Sequence, residues 1–132
     1  MVVSRSEDLD YKTHFTNGHY EGFADTSEEN GGHGQGFRPH DLLEAALACC
    51  TNIVIRAFAK NHNIPLAGVA VQVHLNRDNP EEARFEYGIE LQGDLTEEER
   101  TRLLRAAKAC AVHKTLSRKI TFLECEFSND TE

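Results

Sequence analysis

The chain has 132 residues, 39% of them hydrophobic, with a formal charge of -8 at pH 7. That length supports a single domain over residues 1–132 with a core of its own. The acidic balance, with Lys and Arg scattered, argues against nucleic acid or an anionic membrane surface as partner. Residues 1–8 (Met-Val-Val-Ser-Arg-Ser-Glu-Asp) hold no long apolar run, so neither signal peptide nor anchor is expected and the compartment reads as cytoplasmic. Four cysteines, Cys49, Cys50, Cys110 and Cys125, are too few and too far apart for a secreted disulfide scaffold, and no C-x-x-C pair suggests zinc. Buried structural thiols or redox chemistry remain.

Tyr11, Thr13 and Phe15 alternate, Asn17-Gly18 is a type I′ turn signal, and Tyr20 to Ala24 form the return strand of a hairpin. Residues 27–36 are polar and end in Gly31-Gly32-His33-Gly34-Gln35-Gly36; without a preceding βαβ context this is a mobile loop rather than a dinucleotide fingerprint. The stretch from Pro39 to Lys60 opens with proline at the first helical position and carries Asp41 and Glu44 early, where the helix dipole favours carboxylates. Beyond Glu44 it is apolar or small on almost every side, which predicts a central helix buried all round, too short and too charged at its flanks to cross a bilayer. Two adjacent thiols sit in its middle.

Val69, Val71, Val73 and Leu75 alternate with polar or small residues, as do Phe85, Tyr87, Ile89 and Leu91, predicting an antiparallel pair with one wet face. Thr96-Glu97-Glu98-Glu99 is a capping box for a helix that places Leu103, Ala107 and Cys110 on one face. Residues 111–116 read as a second short helix. Residues 120–127 read as a closing strand, with Leu123, Cys125 and Phe127 on one face. Hairpin, long helix, two strands, helix pair and strand make an α+β fold with helices on antiparallel sheet.

Free cysteine is among the most buried residue types, so Cys49 and Cys125 read as packing residues. Neighbours on a helix project about 100° apart, so only one of Cys49 and Cys50 can face a given pocket. Cys110 and His113 share a helix face, but without a second close pair they make a weak metal site, and His113 reads as a capping, packing or site-lining residue. No metal and no cofactor is expected.

The residues from Pro39 to Thr51 resemble the Pro-x-Glu-Leu-Leu…Ala-Cys-Thr helix of the OsmC-like family, which includes the organic hydroperoxide resistance proteins. The run from Ala109 to Leu116 is similar to that family's Cys-Pro-Val-x-x-x-Leu signature. The resemblance implies an intertwined homodimer of α+β subunits with active sites at the interface. It implies thiol peroxidase chemistry on organic hydroperoxides, with an external dithiol as reductant. By position, Cys50 corresponds to the peroxidatic cysteine and Cys110 to the resolving one. His40 follows Pro39 where the family carries glutamate, with Asp41 at the second acidic position. His19, near the Asn17-Gly18 turn, stands in place of the activating arginine, and Ala111 replaces a proline. His19, His40 or Arg38 is the expected substitute, since a nearby cation or histidine lowers a thiol pKa. The competing reading is a non-enzymatic member that binds an apolar small molecule or senses oxidants through its thiols. The missing glutamate and arginine favour it, and the retained cysteine pair opposes it. A purely structural dimeric module ranks last.

Overall fold

Residues 1–129 of the chain are described by a computed structural model, and they divide into two units, residues 1–42 with the stretch from 121 onward, and residues 43–120. The first unit is built on a three-stranded antiparallel sheet in the order β1 (Val3–Ser6), β2 (Thr13–Thr16), β3 (Glu21–Ala24). The predicted hairpin is β2–β3, in the register Thr13↔Ala24 and Thr16↔Glu21. Its turn is not type I′. Gly18 alone in that turn takes positive φ, at 93°, and the Asn17 carboxamide oxygen accepts from the His19 and Tyr20 N–H groups at 3.0 and 2.8 Å. The asparagine side chain thus folds a longer loop than a two-residue turn requires. The sequence reading lacked β1, because four residues with one apolar member show no periodicity; backbone pairing to β2 makes it a strand.

Residues 27–36 are tied down rather than loose. Asp25 is 3% exposed, and its carboxylate accepts from the Thr26, His33 and Gln35 N–H groups at 2.7, 3.2 and 3.1 Å. Those bonds hold its pKa below the usual carboxylate range, the Gln35 bond most of all and against the cost of desolvation. Gly36 is required by contact: a Cβ there would lie 2.5 Å from the Phe23 carbonyl oxygen.

Helix α1 (Pro39–Asn61) starts in the first unit and runs into the second. Its buried residues are Leu47, Thr51, Ile55 and Ala59, one stripe at fourfold spacing, while Leu43 and Ile53 are 45% and 56% exposed. The expectation of burial all round is therefore corrected. One chain covers a single face of this helix. At 23 residues α1 is also long and apolar enough to cross a bilayer by length and composition, contrary to the sequence expectation.

Within the second unit, β4 (Gly68–Asn76) and β5 (Arg84–Gln92) pair antiparallel, setting Val69 against Leu91, Val71 against Ile89 and Leu75 against Phe85. The alternating residues thus share one apolar face. The Asn52 side chain donates to the Val69 carbonyl at 3.0 Å, fastening α1 to β4. Helix α2 (Glu97–Ala107) begins with the predicted capping box, both of its bonds formed. The core is Ile55, Ala59, Ile64, Leu103 and Ala107, with Val69, Ile89 and Leu91 of the sheet packed against it. Helix α3 (Ala111–Leu116) follows. The predicted closing strand is absent: among the described residues no strand follows α3, and Phe122, Leu123 and Phe127 are 96%, 87% and 68% exposed. Alternation gave that segment two faces, but within one chain no neighbouring strand pairs with it.

Candidate active site

Cys50 lies on α1, half-buried, one position before the buried Thr51. Cys110 is fully buried. It reaches that position because α2 ends at Ala107, a turn follows, and Cys110 becomes the N-cap of α3 with extended backbone at φ -56° and ψ 123°. Its sulfur takes the place of a capping oxygen, accepting from the His113 N–H at 3.4 Å. Its carbonyl accepts from the Lys114 N–H at 3.1 Å.

The two thiols interact. The side chain of Cys110 is the largest cause holding the Cys50 pKa below that of an ordinary thiol. The Val112 N–H comes next, desolvation works in the opposite direction, and the Ala111 N–H adds a further donor. In the opening turn of α3 the His113 N–H bonds the Cys110 sulfur, while the Ala111 and Val112 N–H groups act to lower the Cys50 pKa. The groups that lower the Cys50 pKa are all neutral donors.

The other residues singled out from the sequence fall elsewhere, except His113. Arg38 and Asp41 pair with each other at the start of α1, Arg38 donating through Nη2 at 2.8 Å and through its backbone N–H at 2.9 Å. Arg38 keeps the Asp41 carboxyl below the usual range, the positive field of His40 adding a little. His40 is exposed, and His19 is exposed in the β2–β3 turn. None of these four is among the groups that lower the Cys50 pKa. His113, by contrast, lines a cavity of about 250 Å³ with Leu47, Phe85, Tyr87 and Leu116. Cys49 and Cys125 are exposed, correcting their reading as buried packing residues. Among the described residues no group of three or more His, Cys, Asp or Glu is placed to hold a metal.

Sequence reasoning missed the two backbone donors, Ala111 and Val112. A cysteine three residues before a histidine, at the start of a short apolar helix, was the available signal. The cavity residues Phe85 and Tyr87 were visible as members of an alternating strand, but their role as a wall was not.

The fold has counterparts among solved structures. A structure described as a candidate osmotic stress induced and detoxification response protein from Psychrobacter arcticus is 25% identical, with a TM-score of 0.70 over 87% of this chain and 88% of that one. An OsmC like protein from Mycoplasma pneumoniae is 19% identical at TM-score 0.75, over 88% and 85% of the two chains. An organic hydroperoxide resistance protein OsmC from Legionella pneumophila is 23% identical at TM-score 0.62, over 89% and 88%. No curated protein matches the chain. The profile described as OsmC-like protein matches residues 32–124, a span that takes in α1, the β4–β5 pair and both thiols. Fold and profile agree, and the chain belongs to the OsmC-like protein family.

Proposed function

We propose that this protein reduces organic hydroperoxides with Cys50 as the attacking thiolate and Cys110 as the resolving thiol. The observation that carries the reading is that the half-buried Cys50 has its pKa lowered chiefly by the side chain of the buried Cys110, with backbone N–H groups adding to the effect. The thiolate attacks the terminal peroxide oxygen. A sulfur–oxygen bond forms, the O–O bond breaks, and the alkoxide takes a proton from solvent to leave as an alcohol, with Cys50 now a sulfenic acid. Cys110 then attacks the sulfenic sulfur, its thiol proton joins the leaving hydroxide as water, and a disulfide results. An external dithiol restores both thiols and becomes a disulfide itself. Because Cys110 is buried and Cys50 half-exposed, the reductant attacks at the Cys50 sulfur. Four unpaired cysteines suit a reducing, cytoplasmic setting.

The working unit in this reading is an intertwined homodimer, supported by the uncovered faces of α1 and the exposed apolar residues after α3. A second reading, binding or sensing without turnover, draws on one observation: the groups lowering the Cys50 pKa are all neutral, with no cation among them. Mass mapping of thiols after one equivalent of an organic hydroperoxide separates the two. A Cys50–Cys110 disulfide with rapid peroxide loss, both abolished in Cys50→Ser, is expected of the peroxidase. Cys110→Ser should stop at a sulfenic acid that a diketone reagent traps. Unchanged thiols and persistent peroxide would leave only the binding reading.

A further inference from the structure

The chain holds two Asn-Gly dipeptides, Asn17-Gly18 in the β2–β3 turn and Asn30-Gly31 at the end of a short 3-10 helix over Glu28–Asn30. An asparagine before glycine can turn into aspartate without an enzyme, because glycine lets its own backbone nitrogen approach the carboxamide carbon closely. Both asparagines are exposed, and both glycines take positive φ, 93° and 88°. Access and backbone freedom therefore do not tell the two apart. Their hydrogen bonds do.

At Asn17 the carboxamide oxygen accepts from the N–H groups of His19 and Tyr20 at 3.0 and 2.8 Å. An oxygen that reaches forward past residue 18 folds its carbon over the Gly18 peptide. The two donors draw electrons from that carbon and sit where negative charge builds on the oxygen during attack. The Gly18 N–H bonds a side-chain oxygen, the Thr16 hydroxyl, at 3.0 Å, and the space beside Gly18 is open. At Asn30 the arrangement is reversed. Its Nδ2 donates to Ser27 Oγ at 2.9 Å, turning the carboxamide back toward residue 27. The Gly31 N–H donates to the Glu28 carbonyl at 3.0 Å, which ties the nitrogen that would attack into the 3-10 turn.

We infer that Asn17 is a self-modification site, deamidating in the native turn, while Asn30 is protected. The Gly18 nitrogen gives its proton to hydroxide and attacks Cγ of Asn17. A carbon–nitrogen bond closes a succinimide ring, the bond from Cγ to Nδ2 breaks, and ammonia leaves with a proton from water. Water then opens the ring at either carbonyl to give aspartate or isoaspartate, with no change of oxidation state. Aspartate keeps an acceptor for the His19 and Tyr20 N–H groups and adds a negative charge. Isoaspartate carries the main chain through the side-chain carbon, lengthening the link between Thr16 and Glu21, the last pair of the β2–β3 register. Neither Cys50 nor Cys110 takes part, so the modification stands or falls apart from the peroxide chemistry.

The full-length reduced protein is held at mildly alkaline pH, native and in guanidinium, and conversion of amide to acid is followed at each site by mass spectrometry. Cleavage after Glu21 separates the two sites. In denaturant both should convert at similar rates, since little beyond the shared dipeptide is left to set them. In the native protein Asn17 should keep at least its denatured rate. Asn30 should slow about tenfold or more, as expected where hydrogen bonds must open before reaction. Slowing of Asn17 on folding by as much as Asn30, or native Asn30 converting as fast as Asn17, would overturn the inference. Asn17→Gln keeps the amide but sets its carbon one bond farther from the Gly18 nitrogen. It should all but stop conversion at position 17 and leave Asn30 unchanged; undiminished conversion would mean direct hydrolysis by water and no cyclic route.

Discussion

At the scale of single residues, the chemistry turns on how sulfur on α1 is held. Cys110 is the largest cause of the lowered Cys50 pKa, so Cys110→Ala should move the Cys50 alkylation midpoint to higher pH, and Cys110→Ser, which keeps a donor, should move it less. Ala111→Pro removes one N–H at a helical position where proline is well tolerated. It should also raise the midpoint, by less than Cys110→Ala, with the thermal transition little changed; an unmoved midpoint would show that the Ala111 N–H does not reach sulfur. The sign for stability follows. A depressed thiol pKa stabilises the native state fully above the unfolded-state pKa, and that contribution fades as pH falls through the pKa of Cys50 in the folded chain. The two thiols were legible in the sequence because cysteine is rare and its spacing informative. The donors were not, since a backbone N–H belongs to every residue but proline and only the fold decides where it points. The residues proposed from the sequence as activators, Arg38, Asp41, His40 and His19, were chosen for their charge. Charge alone does not say which end of a helix a side chain serves.

Among the elements, those announced by local chemistry were the ones read correctly. Thr96 and Glu99 name the start of α2 without help from the rest of the chain, and Thr96→Ala should cost about 1 kcal/mol in urea unfolding. Leu103, fully buried in the core of the second unit, is the position where packing weighs most. Leu103→Ala should cost roughly 2 to 5 kcal/mol, and a loss below about 1 kcal/mol would mean that the site collapses to fill the space. Elements that depend on a neighbour were read less well. β1 exists through its pairing to β2, which four nearly polar residues do not advertise. Residues 120–127 alternate as a strand does, yet alternation reports two faces and not the presence of an edge to pair with.

At the scale of the whole molecule, the apolar pattern of α1 exceeds what one chain buries. The sequence reading took that surplus for complete burial; the structure leaves Leu43 and Ile53 uncovered. A second copy is the proposed cover. Sedimentation at tens of micromolar should then give twice the mass of one chain, and Ile53→Asp should shift the protein toward monomer while leaving the helical circular dichroism in place. A monomeric wild type would remove the dimer from the proposed function.

The position of the thiol pair along the chain carries one more consequence. Cys50 and Cys110 enclose the whole of β4, β5 and α2. The disulfide of the proposed cycle would close a loop of some sixty residues, restricting the unfolded ensemble by an amount worth about 4 kcal/mol. The spent protein should melt several degrees above the reduced one and resist digestion better, outlasting an interruption in the supply of reductant. Matched calorimetric scans of the reduced and peroxide-treated protein would show it, with Cys110→Ser giving no difference between the two.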